Sequence, residues 1–130
     1  MVGIAVISHG DMCKGILNSV SMVAGTMRQT ESVSLKEGES PDYYRKRVKE
    51  TIERLDTGEG VLVLVDLIGG TPFNTICALS KELNVHIITG MNLAMLITAS
   101  LERTKDMTMD TLTKKVEEAG AKGIRSLRRE

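Results

Sequence analysis

Two uninterrupted apolar runs constrain this chain more than any other feature. Residues 3–8 and 61–65 are rich in β-branched side chains, and neither alternates apolar with polar as a half-exposed strand does. A strand that is apolar on successive residues is buried on both faces, the environment of a parallel strand flanked by helices. Each run then ends on one polar side chain, His9 after the first and Asp66 after the second. In an open parallel sheet the carboxyl ends of the strands line the ligand crevice, close to where the strand order reverses. As neighbouring strands, the two runs would bring His9 and Asp66 out side by side.

The rest of the chain alternates in the same manner. Residues 11–24 carry Ile16, Leu17, Val20, Val23 and Ala24 at helical spacing, and Gly25 follows as a stop. Residues 32–35 make a short strand. Ser40 is placed to cap a charged helix running to about Leu55, with Pro41 at its first position and Asp42 near the positive end of its dipole. Thr71 and Pro72 read as the N-cap and first residue of a third helix reaching about Leu83. Residues 85–89 form a fourth strand, 91–101 an apolar helix and 108–119 a polar one. Gly120 and Gly123 flank a turn before 124–127, a last short strand. This pattern predicts one α/β domain over residues 1–130, built on an open, doubly wound, mostly parallel four-stranded sheet with helices on both faces.

His9 and Asp66 form a pair with a chemical purpose. A carboxylate that accepts Nδ1–H fixes the imidazole tautomer and leaves Nε2 with a free lone pair. It also stabilises the charge that develops when Nε2 attacks. Gly69, Gly70, Thr71, Pro72, Phe73 and Asn74 follow Asp66 directly. The glycines allow close approach and positive φ, and the free N–H groups of the helix start suit an anion. The N–H groups around Thr71 and Phe73, with the Thr71 hydroxyl, would hold phosphate oxygens. A histidine, a carboxylate and a phosphate cradle together point to phosphoryl transfer through the imidazole.

Composition removes several other classes. Seventeen basic and seventeen acidic residues cancel, which leaves no footprint for nucleic acid or an anionic membrane. The three aromatics, Tyr43, Tyr44 and Phe73, make no stacking platform for bases. Neither a P-loop nor a dinucleotide fingerprint occurs. His9, His86, Cys13 and Cys77 are too scattered for a zinc site, so neither a metal nor another cofactor is expected. Both cysteines fall at helical positions and read as small core residues, although Cys13 near a helix start could act as a thiolate. The amino terminus has no basic, then apolar, leader, and a reducing cytoplasm fits the cysteine usage.

The motifs resemble those of a known family. Ser8, His9, Gly10 and Asp11, followed by Gly15 to Ser19 and Gly25, are similar to the first strand and helix of the enzyme IIA component of the bacterial sugar phosphotransferase system, mannose/fructose/sorbose class. The run from Gly60 to Asp66, with Gly69 to Asn74, is similar to the second signature of that family. Gly90, Met91, Asn92 and Leu93, with Met95 and Leu96, resemble a third, and Gly123 to Leu127 resemble the terminal strand.

The resemblance implies that His9 accepts a phosphoryl group from the phosphohistidine carrier protein and passes it to a IIB component, which feeds a membrane permease. It further implies that Asp66 pairs with His9, that Thr71 lies by the phosphate, and that residues 124–127 are an edge strand exchanged in a homodimer. Ile68 stands where the family commonly has an aromatic, and Ala94 where proline is frequent. The chain stops at Glu130 without a IIB domain, so IIB is expected as a separate chain. Two alternatives stay open. One is a regulatory phosphotransfer module like those attached to dihydroxyacetone kinases, and the other is a small-molecule enzyme using His9 as base.

Overall fold

A computed structural model describes residues 1–129. Along the chain run β1 (Gly3–His9), α1 (Met12–Ala24), β2 (Thr30–Leu35), α2 (Pro41–Leu55), β3 (Val61–Val65), α3 (Gly70–Leu79), β4 (Val85–Ile88), α4 (Leu93–Glu102) and α5 (Met109–Lys122). The four strands form one sheet in the order β2-β1-β3-β4, and every pairing is parallel. The expected α/β architecture is therefore observed, with helices on both faces.

The two central strands are apolar throughout because each face carries its own core. Ile4, Val6, Leu62 and Leu64 pack with Val20, Leu96 and Leu112 in the layer of α1, α4 and α5. Ala5, Ile7, Val61, Val63 and Val65 pack with Tyr44, Val48 and Ile76 in the layer of α2 and α3. Successive residues of one strand thus alternate between two helix layers. Each fully buried Val, Leu or Ile contributes about 1.5–3 kcal/mol, so β1 and β3 are where the sheet is anchored.

Three boundaries differ from the sequence pattern, each for a local reason. The strand β2 begins two residues before the expected 32, because Ile4 pairs with Thr30 at the start of the ladder. The helix α3 stops at Leu79 rather than about Leu83. Beyond it Ser80 Oγ donates to the Cys77 carbonyl at 2.6 Å, and the Leu83 N–H returns to the Leu79 carbonyl at 3.0 Å, closing a turn toward β4. Finally, Gly120 is no stop at all. It lies buried inside α5, where an added Cβ would stand 2.7 Å from Met95 Cγ, and its carbonyl accepts from Asn92 Nδ2 at 2.9 Å. The residue lets α5 approach α4 closely. The expected strand at 124–127 does not form within the single chain, and Ile124 and Leu127 are exposed.

The Gly120 contact generates a test. Gly120→Val should drive β-branched atoms into Met95 and cost about 1–3 kcal/mol, read as a lower urea midpoint with unchanged slope. An unshifted midpoint would show that α4 and α5 do not rely on this approach.

Candidate functional site

The chain leaves β1 through α1 to reach β2 on one side, and leaves β3 through α3 to reach β4 on the other. The strand order therefore reverses between β1 and β3, and the crevice opens at their carboxyl ends. His9 is the last residue of β1, and Asp66 follows the last residue of β3.

The structure brings these two together. Asp66 Oδ2 accepts from the His9 backbone N–H at 2.9 Å and meets His9 Nδ1 at 2.8 Å. Asp66 Oδ1 accepts from the Leu67 N–H at 2.9 Å. The carboxylate side chain is 7% exposed and the imidazole 48%, so the acceptor is held inside while the ring faces solvent. An ionised carboxylate only accepts, so Nδ1 carries the proton, and in the neutral ring Nε2 then keeps its lone pair.

Nε2 lies against the start of α3. A Cβ at Gly70 would stand 3.0 Å from Nε2 and 2.9 Å from Cε1, and Gly70 has φ +82°. Only glycine permits this backbone so close to the ring. No side chain caps α3, whose cap position is Gly69. Helix geometry leaves the N–H groups of Gly69, Gly70 and Thr71 without an intrahelical acceptor, and Pro72 has no N–H. With Gly70 beside Nε2, the start of α3 and the positive end of its dipole lie next to the ring.

Thr71 is not the N-cap, because the chain turns at Gly69 and Gly70 and enters the helix earlier than the Thr-Pro pair suggests. The residue also lines a cleft with Arg45 and Asn74. Phe73 packs its ring, partly buried, against the core of the α2/α3 layer.

Other candidates fall elsewhere. Cys13 is fully buried, its Sγ 3.3 Å from Ser34 Oγ, which leaves a thiolate no path to substrate. Cys77 is a half-buried free thiol. His86 sits on β4 with Nδ1 3.1 Å from Thr113 Oγ1 and Nε2 3.7 Å from Asp110, far along the chain from the crevice. Among the described residues no group of three or more His, Cys, Asp or Glu is placed to hold a metal ion. Nor, among the described residues, is any helix long and apolar enough to cross a membrane. One motif residue whose role the sequence leaves open is Ser8, buried directly beneath the His9 turn.

The turn after β2 is fixed electrostatically. Burial pushes the Glu39 carboxyl up, but the Lys36 N–H and the Arg47 guanidinium outweigh it and hold the group below the ordinary carboxylate range. Arg47 also donates to the Ser34 carbonyl at 3.0 Å. Burial raises the Tyr44 phenol well above its usual value, and its hydroxyl donates to the Val33 carbonyl at 2.9 Å.

An open, doubly wound α/β protein with a histidine–carboxylate pair at its switch point, beside an uncapped helix start, is the class these observations define. The chain belongs to the EIIA-man family, described as PTS system fructose IIA component, whose model matches residues 3–117. It is 29% identical to the PTS system mannose-specific EIIAB component of Escherichia coli over 98% of its own length, and spans 40% of that relative's length. Its structure matches phosphotransferase system component EIIA from Streptococcus agalactiae with a TM-score of 0.88 at 33% identity, covering 97% of each chain. The mannose/sorbose specific IIA subunit from Enterococcus faecalis shares the fold at a TM-score of 0.85 and 24% identity, over 99% of this chain and 96% of that one.

The Glu39 clasp is testable by pH. Its carboxyl is held below its unfolded value, near 4.3 for a free Glu, so the stabilisation is complete above that value and is lost as pH falls through the lowered one. Glu39→Gln should cost about 1 kcal/mol at neutral pH in denaturant melts, and the gap should close on acidification below about pH 4. A pH-independent gap would assign the loss to packing.

Proposed function

We propose that this chain is a phosphoryl carrier of the sugar phosphotransferase system. In this reading His9 accepts a phosphoryl group from a phosphohistidine carrier protein and passes it to a IIB component for sugar uptake. The 2.8 Å contact between Nδ1 and Asp66 is the observation that carries it, because it directs the free lone pair of Nε2 toward an uncapped helix start.

The Nε2 lone pair attacks the phosphorus of the donor phosphoimidazole in line. The donor N–P bond breaks, and its electron pair returns to the donor ring. An Nε2–P bond forms while Nδ1 keeps its proton, and the positive ring charge faces the Asp66 carboxylate. The N–H groups of Gly69, Gly70 and Thr71, with the Thr71 hydroxyl, hold the equatorial oxygens, and the Phe73 ring backs the helix start. Transfer to IIB runs the same step in reverse. Met12 at the start of α1, and Leu67 and Ile68 in the loop after Asp66, are 49%, 50% and 71% exposed. An apolar rim suits a protein donor that excludes water on docking. The relay needs no metal or cofactor, works in the cytoplasm, and meets the membrane only through the permease.

Incubation with phosphorylated carrier protein and intact mass measurement tests this. Wild type should gain one phosphoryl group that a IIB protein removes, His9→Ala and His9→Gln should gain none, and Asp66→Asn should react about 10²-fold more slowly. Phosphorylation of both His9 variants would move the acceptor elsewhere. A labelled wild type that no IIB protein discharges would overturn the transport role.

We further infer a homodimer in which residues 124–127 of each subunit extend the sheet of the other. The strand β4 is an edge, and the cavity beside it, about 450 Å³, is lined by Phe73, Ile87, Met95, Glu117, Gly120 and Ile124. Strand addition would satisfy that edge and cover Leu127, which is exposed in the single chain. Sedimentation equilibrium should find a dimer for the full chain and a monomer for one ending at Lys122. Identical masses per subunit for both would remove the exchanged strand.

A further inference from the structure

Beneath the His9 turn lies a hydroxyl that neither the ion pair nor the anion site uses. Ser8 is fully buried, one residue before His9 and therefore on the opposite face of β1. Its Oγ accepts from the Cys13 N–H at 2.9 Å and donates to the Gly10 carbonyl at 2.9 Å. Asp11 occupies the cap position of α1 but makes no side-chain cap bond. Ser8 does that work from three residues upstream, and so closes the loop of residues 9–12 around a single buried group.

The same turn is held from its other side. The Gly10 N–H donates to the Leu35 carbonyl of β2 at 2.8 Å. Both backbone polar groups of Gly10 are thus engaged, one by the neighbouring strand and one by Ser8. The His9 N–H is engaged as well, by Asp66 Oδ2 at 2.9 Å. With the backbone pinned on both sides of His9, the ring is presented to Asp66 and Gly70 in one orientation. Removing the Ser8 hydroxyl leaves the buried Cys13 N–H without a partner and the part-buried Gly10 carbonyl with only the Cys13 Sγ at 3.9 Å, and the turn must shift to compensate.

We propose that Ser8 is a positioning residue for the phosphoryl acceptor, its hydroxyl clamping the His9–Gly10 turn onto the first turn of α1 so that the imidazole stays against Asp66. This rests on His9 being the acceptor. The action is through His9, since Ser8 faces the helix layer and touches no reacting atom.

Ser8→Ala removes the clamp, while Ser8→Thr and Ser8→Val share one shape and differ by the hydroxyl. Two readouts apply to each: the rate of phosphoryl transfer from the carrier protein, and the low-field NMR resonance of the His9 Nδ1–H bonded to Asp66. Ala and Val should react about tenfold more slowly and lose or broaden that resonance below the melting temperature, with Thr retaining both. Should Ala not fold, the Thr–Val pair alone decides. Wild-type rate and resonance in Ala or Val, a loss confined to melting temperature, or loss of the resonance in Thr as well would overturn the role. If wild type itself takes no phosphoryl group, the carrier reading fails separately, and the resonance still reports whether Ser8 holds the ring.

Discussion

Parallel pairing of β1 with β3 sets Ile7 against Val65, and the N–H of Asp66, just past that ladder, donates to the Ile7 carbonyl at 3.3 Å. A slip of one residue would turn every β3 side chain to the other helix layer and carry the Asp66 carboxylate away from His9. Hydrophobicity does little to prevent the slip, because Val61–Val65 is apolar on both faces. The register is held at the opposite end. There the Gly3 N–H donates to the Gly60 carbonyl and the Val61 N–H to the Asn84 carbonyl, each at 3.0 Å. Gly3 also lies so close to α2 that a Cβ would meet the Leu55 carbonyl at 2.8 Å. Arg103 braces the same edge through the Val2, Gln29 and Arg28 carbonyls, and burial pushes its guanidinium below its usual range. The crevice thus depends on packing a full strand length away.

The two edges of the sheet are treated differently. Along β2, Glu31 and Arg54 form a two-point ion pair at 2.6 and 3.0 Å, and Arg47 clasps Glu39 nearby. Charged clamps of this kind guard an edge against adding another strand. Along β4 the flanking surface is apolar, with Phe73 on one side and α5 on the other. This asymmetry leaves β4, rather than β2, as the edge open to an added strand.

At the centre, burial is divided unevenly between partners. Asp66 is saturated by three donors inside the protein, while His9 stands half in solvent. In the proposed relay this group would be met by two different proteins in turn, so it has to be reachable, and its orientation must then come from beneath. Asp66 supplies that from the side and Ser8 from below.

Much of this was legible in the residue order. The unbroken apolar runs implied strands buried on both faces, the switch from strand to helix periodicity implied parallel crossovers, and His9 and Asp66 stood out as polar ends of those runs. Those residues already pointed to phosphoryl transfer, and the family motifs added the carrier protein and the IIB component as expected partners. Three things were decided only in three dimensions. Gly120 reads as a helix stop by propensity, but close packing against Met95 keeps it helical, since tertiary contact outweighs a local preference. Thr71 reads as a cap, yet the positive φ of Gly69 and Gly70 starts the helix sooner. Ser8 stands in the first motif, but its clamp cannot be read from sequence because its partners at Gly10 and Cys13 are backbone groups, identical for any residue type. Side-chain identity specifies where chemistry can occur, whereas hydrogen bonds to the main chain exist only once the chain is folded.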